Sequence, residues 1–446
     1  MARERLVVIG GVAAGMSAAS RARRQNPQLE IIVLEKGAHV SYGACGLPYY
    51  ISGQVTDWKE LLAYPEEFFR EKRGIDVRLH HEAIEIEPGR KRVQALRAGV
   101  EAVTLGYDKL VIATGGAPAL DLPGSNLERV FTCNDLVGAV RLREFLERER
   151  PARAVVIGSG YIGLEVADAL KQRGMQVTIL ERSDSVLEGF EAPIVEKIET
   201  VLEAHGVRLR KACAVTSITA AGKEVHVHAG DTSENADVVL LATGIRPRAS
   251  LAEAAGIELG STGAIAVDER LLTNVNSIYA AGDCTEVRHL VTGRPVYFPL
   301  GTTANKQGRV AGENAGGGNA RFAGIVGTLA TKIFELEIAR TGLSAAQARA
   351  AGFEPDSVFL HSTSHARYLH GRPLLLGLLW DRPSKRLLGC QMAGEEGVAK
   401  RIDVAAAALH ARMLVPDLLH LDLSYAPPFA PVWEALLVAA NEAMKK

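Results

Sequence analysis

Cysteine is scarce in this sequence, and the spacing of the few cysteines excludes several kinds of site. The 446 residues include Cys45, Cys133, Cys213, Cys284 and Cys390, and no two of these lie within a few residues of each other. The sequence therefore has no C-x-x-C redox pair, no zinc-ligand spacing and no disulfide framework of a small secreted domain. Because an isolated cysteine is usually a buried, inert thiol, only its local context can mark one of them as reactive.

An excess of charge of one sign and long apolar runs are also missing. Lys and Arg number 51 against 52 for Asp and Glu, so the formal net charge is −1. This balance gives no reason to expect binding to nucleic acid or to a membrane surface. Residues 6–9 (LVVI) lead directly into glycines, and no apolar run is long enough to span a bilayer. We therefore expect a cytoplasmic protein that acts on small molecules, without a metal site.

The length predicts more than one hydrophobic core. A strand, glycine turn, helix and second strand are predicted from residue 6 and again from residue 154, about 150 residues apart. Closing strands are predicted at 110–115 (LVIATG), 238–244 (VVLLATG) and 277–283 (SIYAAGD). After about residue 322, mixed strands and an alanine-rich helix around 402–411 follow. We predict an α/β fold with two Rossmann-like dinucleotide-binding domains and a C-terminal α+β domain.

The second glycine turn has the full dinucleotide fingerprint. In Gly158-Ser-Gly160-Tyr-Ile-Gly163 the glycines permit a tight turn and close approach of the backbone to a pyrophosphate at the helix N-terminus. Glu181, 18 residues after Gly163, is expected to accept the adenosine ribose 2′-hydroxyl, and Arg182 can meet a 2′-phosphate. We therefore predict that NADH is preferred and NADPH tolerated. The predicted contacts of this cofactor are Gly158, Gly160, Tyr161, Ile162, Glu181, Arg182 and Gly244.

The first glycine turn departs from the fingerprint, because Val12 occupies the middle glycine position of Gly10-Gly11-Val12-Ala13-Ala14-Gly15. Glu35 nevertheless follows 20 residues after Gly15. The segments 113–115 (ATG) and 280–283 (AAGD) resemble secondary motifs of flavoproteins with two dinucleotide domains, which implies FAD in this half and hydride transfer from NAD(P)H. The predicted FAD contacts are Gly10, Gly11, Ala14, Gly15, Glu35, Lys36, Ala113, Thr114, Gly115, Gly282 and Asp283.

Cys45 has the context of a reactive thiol. It lies in residues 41–53 (SYGACGLPYYISG), shortly after the strand that ends at Glu35, and such loops bind ligands in parallel α/β folds. We expect a helix start next to it, which would lower the pKa of the thiol below its usual value of about 8.5. No second cysteine follows in GLPYY. Oxidised Cys45 must then become a sulfenic acid or a mixed disulfide with a small thiol.

The S-[FY]-x-x-C-G-L-P-Y segment, the two dinucleotide units and residues 425–429 (YAPPF) resemble the coenzyme A disulfide reductases. These are single-cysteine pyridine nucleotide-disulfide oxidoreductases, related to NADH oxidases, NADH peroxidases and persulfide reductases. The resemblance implies a homodimer in which Cys45 alternates between thiolate and a mixed disulfide with coenzyme A. It also implies that Tyr368 and Tyr425 of the opposite subunit hydrogen-bond the thiolate and help to protonate the leaving thiol. Relatives usually have two adjacent tyrosines and a proline where residues 368–370 read YLH.

Coenzyme A carries a 3′-phosphate and a diphosphate, which arginine side chains bind well. Ser17, Arg21 and Arg24 share one face of the first predicted helix. The resemblance implies substrate contacts by Ser17, Arg21, Arg24, Ser41, Ala44, Arg73, Asn305 and, across the dimer, Trp433. The last two positions are basic in a relative, so a smaller disulfide, a polysulfide or a persulfide is an alternative substrate.

We predict an FAD-binding domain from residues 1–117 and 246–322, an NAD(P)H-binding domain at 118–245 and a dimerisation domain at 323–446. The predicted activity is reduction of coenzyme A disulfide to two thiols by NAD(P)H, through FAD and Cys45. Two alternatives are polysulfide or coenzyme A persulfide reduction and NADH oxidation, although Val12-Ala13-Ala14 replaces a histidine that oxygen- and peroxide-reducing relatives carry. A third is electron transfer from NADH through FAD to a partner protein, which would not need Cys45.

Overall fold

The computed structural model describes residues 3–446, and the first 118 residues contain the first βαβ unit. Its elements are β1 (Arg5–Ile9), α1 (Ala13–Gln25), β2 (Glu30–Leu34), α2 (Leu47–Ser52), α3 (Glu66–Arg73), β3 (Asp76–Arg78), β4 (His81–Glu87), β5 (Arg92–Arg97), β6 (Glu101–Gly106), β7 (Lys109–Ile112) and β8 (Gly116–Pro118).

The second βαβ unit lies within residues 119–247. Its elements are β9 (Val130–Thr132), α4 (Leu136–Glu149), β10 (Arg153–Ile157), α5 (Tyr161–Gln172), β11 (Gln176–Leu180), α6 (Ala192–Ala204), β12 (Val207–Arg210), β13 (Ser217–Ala221), β14 (Glu224–Ala229), β15 (Thr232–Ala236), β16 (Val238–Leu241) and β17 (Ile245–Pro247).

The remaining chain completes the first unit and adds a C-terminal part. Its elements are α7 (Ser250–Ala254), β18 (Ile278–Ala280), β19 (Val287–Arg288), β20 (Pro295–Val296), α8 (Gly301–Ala315), β21 (Leu329–Ile333), β22 (Leu336–Gly342), α9 (Ala345–Ala350), β23 (Pro355–Thr363), β24 (Pro373–Asp381), β25 (Leu387–Gly394), α10 (Val398–His410), α11 (Val415–Leu418) and α12 (Ala435–Met444).

Two parallel sheets confirm the two Rossmann-like units. One has the strand order β18-β7-β1-β2-β3, and the other has the order β12-β11-β10-β16-β9. In each, the central strand pairs in parallel with the strand that follows its helix, β1 with β2 and β10 with β11. The central strands are apolar and almost entirely buried, as expected for parallel sheets covered on both faces.

The first unit is assembled from two distant segments of the chain. Strand β18 joins the edge of the first sheet next to β7, and α8 packs along α1. The two helices approach so closely that a β-carbon added at Gly308 or Gly312 would overlap the backbone of Ala14 or Ala18. The domain boundaries at 117, 245 and 322 stay a prediction.

The C-terminal part confirms the expected α+β architecture. Its antiparallel sheet has the order β21-β22-β25-β24-β23, and α10 and α12 pack on it. Trp380 is fully buried in this core. None of the helices formed by residues 3–446 has the length and apolar character that a membrane crossing requires. These residues also contain no group of three or more His, Cys, Asp or Glu side chains arranged to hold a metal ion.

Candidate active site

A cavity of about 1620 Å³ lies at the carboxyl ends of both parallel sheets. The last residues of four strands, Ile9, Leu34, Ile157 and Leu180, form part of its wall. The predicted site residues that line it are Gly10, Gly11, Ala14, Glu35, Lys36, Ala44, Cys45, Ala113, Thr114, Gly115, Gly158, Gly160, Tyr161, Ile162, Glu181, Arg182, Gly244 and Asp283. The cavity therefore brings both predicted dinucleotide sites and the candidate thiol together.

The first glycine turn packs against the end of β7, the strand next to β1 in the sheet. Gly10 has φ +102°, and a β-carbon there would overlap the carbonyl oxygen of Ala113. The carboxylate of Glu35 accepts hydrogen bonds from the backbone N–H groups of Gly11 and Gly37, both at 2.7 Å. The acid that was predicted to bind a ribose is thus fixed at the cavity wall by main-chain donors.

Asp283 contributes a second carboxylate to this half. It lines the cavity, and burial raises its pKa to about 6, with no hydrogen bond from any of residues 3–446 to offset the loss of hydration. A buried carboxylate without donors fits the hydroxyl groups of a ribityl chain, which would supply them. The Gly10 cradle, Glu35 and Asp283 therefore suit the pyrophosphate, ribose and ribityl groups of FAD.

The second glycine turn repeats the first, but its acid is held differently. Gly158 has φ +104°, and a β-carbon there would overlap the carbonyl oxygen of Ala242. Glu181 accepts hydrogen bonds at 2.7–2.9 Å from the N–H and hydroxyl groups of both Ser159 and Ser183. Burial opposes ionisation of Glu181, but these bonds outweigh it and keep its pKa below the usual range.

The serines beside Glu181 were not predicted as functional residues. Ser159 occupies the variable position between Gly158 and Gly160, and Ser183 lies two residues after the acid. Their closeness in the sequence to motif residues could have marked both serines as site residues. Arg182 is exposed at the cavity wall and has no carboxylate within ion-pair distance among residues 3–446.

Cys45 lies between the two halves of the cavity. It occupies the short 3-10 turn Ala44–Gly46, which precedes α2, and its side chain is exposed to the cavity. The expectation of a lowered pKa is wrong for this structure. Burial and the negative charges of Glu165 and Asp283 raise the pKa of the thiol, and α2 has only six residues with which to oppose them.

Glu165 is a cavity residue that the sequence analysis missed. It lies on α5 one turn after Tyr161, so its helical spacing was the available signal. Its carboxylate accepts a hydrogen bond of 2.6 Å from the hydroxyl of Thr331 in β21. Burial raises the pKa of Glu165, and the nearby Asp168 adds to the effect.

Several predicted site residues lie outside the cavity wall. Gly15 packs behind the first turn against Gly10, and a β-carbon at Gly282 would lie 2.7 Å from that of Ala14. The N–H of Ser41 donates to the carbonyl of Gly11 at 2.9 Å, which ties the Cys45 loop to the glycine turn.

The predicted arginine face extends along α1 and α8, away from the cavity. Asn305 donates to the Ser17 hydroxyl at 2.9 Å, and Arg21 forms an ion pair with Glu313 at 2.6 Å. The face is thus partly neutralised at Arg21, which the sequence analysis did not foresee.

Arg24 marks the centre of the remaining positive charge. Burial, followed by the positive charges of Arg73, Arg21 and Arg309, lowers its pKa. The guanidinium of Arg73 also stacks on aromatic rings, 5.0 Å from the centroid of Phe68. Arg309 was missed, although it falls one helical turn after Asn305 and one before Glu313. Arg24, Arg73 and Arg309 form what we call the arginine cluster.

The two predicted catalytic tyrosines lie on another surface. Tyr368 is 72% exposed and Tyr425 is 49% exposed, and neither lines the cavity that contains Cys45. Their loops are joined by a hydrogen bond from the N–H of Ala366 to the carbonyl of Pro427 at 3.1 Å. Large exposed apolar side chains share this part of the C-terminal domain, and we call them the aromatic face: Tyr368, Leu369, Tyr425, Phe429, Val432 and Trp433.

Comparisons with known proteins agree with this architecture. The profile of a family described as pyridine nucleotide-disulphide oxidoreductase matches residues 4–308, and the profile of its dimerisation domain matches residues 328–436. The NAD(P)H sulfur oxidoreductase (CoA-dependent) of Pyrococcus abyssi is 40% identical over 442 residues, which cover 98% of each chain. The coenzyme A disulfide reductase of Staphylococcus aureus is 31% identical over 429 residues, 96% of each chain.

The solved structure of an NAD-dependent persulfide reductase from A. fulgidus has a TM-score of 0.96 to this chain at 40% identity. The match covers 99% of this chain and 83% of that one. Together these matches confirm the resemblance that the motifs indicated.

Proposed function

This chain belongs to the pyridine nucleotide-disulphide oxidoreductases, and on that premise we propose that it reduces coenzyme A disulfide to two coenzyme A thiols. The coarser activity follows from the family: the protein is an FAD- and NAD(P)H-dependent oxidoreductase of sulfur–sulfur bonds. The observation that carries the finer proposal is the exposed thiol of Cys45 at a cavity lined by both dinucleotide turns, with an arginine cluster farther along α1 and α8. Cys133 and Cys213 also line this cavity, but Cys133 is buried and Cys213 half-buried.

The wall that leads from the cavity to the arginine cluster suits a long thiol carrier. Ala14 and Ala304 line the cavity; Ser17 lies about one turn after Ala14 on α1, and Asn305 directly follows Ala304 on α8. From Ala14 to Arg24, α1 rises about 15 Å at 1.5 Å per residue. Coenzyme A separates its thiol from its phosphates by an extended pantetheine arm. Its phosphates can therefore contact the cluster while its sulfur lies near Cys45.

The proposed reaction follows from the lone cysteine. The Cys45 thiolate attacks one sulfur of the disulfide, the sulfur–sulfur bond breaks, and one coenzyme A leaves as a thiolate that takes up a proton. The Gly10 turn, Glu35 and Asp283 would hold FAD, which when bound would supply the two-electron carrier between NAD(P)H and the Cys45–coenzyme A mixed disulfide. Cleavage of that bond regenerates the Cys45 thiolate and releases the second thiol. One disulfide, one NAD(P)H and one proton thus yield two thiols and NAD(P)+.

A second copy of this chain is the proposed occupant of the aromatic face. Exposed apolar patches of this kind mark protein interfaces, and the dimerisation profile covers all six of these residues. In the homodimer, Tyr368 and Tyr425 of one copy would reach Cys45 of the other and donate hydrogen bonds to the thiolate. We expect Phe429→Asp, at the most exposed side chain of this face, to shift the protein from dimer to monomer in light scattering, with a loss of disulfide reduction.

Reduction of a coenzyme A persulfide or polysulfide is the second candidate. It is favoured by the names of relatives that are 40% identical to this chain, a CoA-dependent sulfur oxidoreductase and a persulfide reductase. The same thiol would attack the sulfane sulfur, and the products would be coenzyme A and hydrogen sulfide. Anaerobic rates with coenzyme A disulfide, coenzyme A persulfide and a small aromatic disulfide separate the candidates. The proposal fails if coenzyme A disulfide is reduced no faster than the aromatic compound.

Variants of the thiol and of the cluster test the proposal directly. Cys45→Ser should lower disulfide reduction about a thousandfold or more while NADH still reduces the flavin. Cys213→Ser, at a half-buried cysteine on the same cavity, is the matched control and should keep full activity. Full activity of Cys45→Ser would instead support electron transfer to a partner protein.

Arg24→Ala should raise KM for coenzyme A disulfide about tenfold, because a charge-assisted phosphate contact is lost. It should leave KM for the aromatic disulfide unchanged. Arg321→Ala, a surface arginine paired with Glu269, is the control for a general loss of charge.

A further inference from the structure

The loop between β11 and α6 borders the NAD(P)H half of the cavity but is fastened to another domain. Glu181, Ser183, Leu187 and Glu188 of this loop line the cavity. Its far end, residues 189–191, is hydrogen-bonded to the C-terminal sheet. The conformation of a cofactor-binding loop thus depends on residues that lie about 150 to 200 positions later in the chain.

Arg340 of β22 makes the central contact with this loop. Its Nη1 donates to the carbonyl of Gly189 at 2.9 Å, and its Cζ lies 5.4 Å from the ring centroid of Phe190. Gly189 has φ +90°, and a β-carbon there would overlap the Arg340 guanidinium. The turn at Gly189 is therefore shaped around the arginine side chain.

Gln391 of β25 strengthens the same attachment. It is only 4% exposed, and its Oε1 accepts from the N–H of Glu191 at 2.8 Å. Its Nε2 donates to the carbonyl of Gly189 at 3.1 Å, so that carbonyl receives two donors from the C-terminal sheet. The Glu191 side chain accepts from the N–H of Ala345 at 2.7 Å. Both ends of the short turn 189–191 are consequently bonded to the sheet.

Arg340 also lies beside the opposite wall of the cavity. Tyr161, the first residue of α5, lines the cavity and has a hydroxyl that is buried without a hydrogen-bond partner among residues 3–446. Burial raises the pKa of Tyr161 to about 12, and the Arg340 charge opposes part of that rise. Arg340 is thus adjacent to both the loop and the helix that enclose this half of the cavity.

We propose that Arg340 is a positioning residue for NAD(P)H, which holds the 181–191 loop and the start of α5 in the cofactor-binding conformation. A loop that is ordered before binding does not lose that conformational freedom when the cofactor binds, so affinity is higher. The proposal rests on the assignment of this half of the cavity to NAD(P)H, which is part of the proposed function. It does not depend on which sulfur compound is reduced.

Arg340→Met keeps much of the apolar length of the side chain but removes its donors and charge. We expect the dissociation constant of NAD+, measured by calorimetry on the FAD-bound protein without any disulfide, to rise about tenfold or more. The limiting rate of flavin reduction at saturating NADH should change less than twofold. Arg340→Lys should be intermediate, because lysine keeps the charge but lacks the planar fork. Amide hydrogen exchange at 183–190 should accelerate in Arg340→Met.

His205→Ala is the matched control at the same interface. It removes the 2.8 Å contact between His205 and Glu335, which joins the second unit to the C-terminal part away from the cofactor loop. We expect unchanged NAD+ affinity and unchanged hydrogen exchange at 183–190 in this variant. An equal loss of affinity in both variants would mean that Arg340 acts only through general stability of the interface, and it would overturn the proposal.

Gly189→Ala disturbs the contact between Arg340 and Gly189 from the loop side. This variant replaces Arg340→Met if Arg340→Met does not fold. It should raise the dissociation constant of NAD+ in the same direction. A value within twofold of wild type in either variant would overturn the role of Arg340 while leaving the proposed function intact. Wild-type protein that binds no NAD+ would instead overturn the proposed function and this proposal with it.

Discussion

The two βαβ units, which we call the FAD half and the NAD(P)H half after the cofactors predicted for them, hold the acids predicted to bind ribose by different means. Glu35 accepts hydrogen bonds from two backbone N–H groups, whereas Glu181 accepts from two backbone groups and two serine hydroxyls. In each half one main-chain donor lies in the glycine turn and the other two residues after the acid, but only the second half adds serine hydroxyls. The same motif can therefore hold its acid with different numbers of hydrogen bonds, because the residues beside the acid vary.

The halves also differ in the polar groups that they leave without partners. Thr114 donates to the carbonyl of Arg248 at 2.6 Å, whereas the equivalent Thr243 of the second ATG segment has a buried hydroxyl without a partner among the described residues. Within the described part of the chain, Asp283 of the FAD half accepts no hydrogen bond and Arg182 of the NAD(P)H half has no ion-pair partner. One half is suited to accept hydrogen bonds from its ligand, and the other is suited to bind a phosphate.

Substitution of the first glycine in each turn should have the largest effect, and it should show which cofactor each half binds. We expect Gly10→Val to abolish FAD binding, because the turn requires φ +102° and has no space for a β-carbon beside Ala113. Gly158→Val should keep FAD but abolish flavin reduction by NADH. Absorbance of the bound flavin and anaerobic reduction with NADH measure the two effects. Loss of FAD in Gly158→Val with retention in Gly10→Val would reverse the assignment of the halves.

The carboxylate of Asp283 should destabilise the FAD-free protein at neutral pH. Its pKa is raised from 3.8 to about 6, so the folded state binds a proton more tightly than the unfolded state. Stability that is present below pH 4 is then lost as the pH rises through 6, by about 3 kcal/mol at most. We expect FAD-free Asp283→Asn to be more stable than wild type at pH 7.5 in urea unfolding.

The difference between Asp283→Asn and wild type should shrink as the pH falls below 6 and disappear near 4. A constant difference across this range would show that the substitution acts through packing rather than through ionisation. The same variant should bind FAD more weakly, because the amide is a poorer acceptor for ribityl hydroxyls than a carboxylate.

The contribution of Glu181 to stability should depend on pH in the opposite direction to that of Asp283. Its pKa is lowered, so its ionised form stabilises the fold at neutral pH, and this contribution is lost as the pH falls. We expect Glu181→Gln to destabilise the protein by about 1–2 kcal/mol at pH 7, through weaker hydrogen bonds from the serines. It should also raise the preference for NADPH, since repulsion of a 2′-phosphate is removed while Arg182 stays. Unchanged KM ratios for NADH and NADPH would count against Glu181 as the ribose acid.

The sequence predicted what local motifs determine. Both glycine turns, the acids at the ends of β2 and β11, and the position of Cys45 in the cavity follow from short segments whose backbone geometry depends on nearby residues. The role of Arg340 could not be predicted from the sequence, because it depends on how distant strands and loops pack together. Helical spacing places Arg309 near Asn305, but its proximity to Arg24 depends on how α8 packs on α1.

The pKa of Cys45 shows why a local argument can be wrong. The helix that follows this cysteine was predicted, and its effect on the thiol was judged from that helix alone. In the structure, Glu165 of the second unit and Asp283, shortly after β18, line the same cavity as Cys45. Together with burial, their negative charges raise the pKa of the Cys45 thiol. Neither carboxylate is near Cys45 in the sequence, so its electrostatic environment is a property of the fold.

Thr114 and Thr243 occupy equivalent positions in the two ATG segments, so the same substitution can be made in both halves. The expected effects on stability are the smallest considered, but they compare the halves most directly. Thr114→Val should cost about 1 kcal/mol, since it leaves the Arg248 carbonyl without its 2.6 Å donor. Thr243→Val should be close to neutral in the cofactor-free protein, because its buried hydroxyl has no bond to lose. Urea unfolding of both FAD-free variants measures the difference. Equal losses would mean that the hydroxyl of Thr243 finds a partner in solution, and the two halves would then be alike at this position.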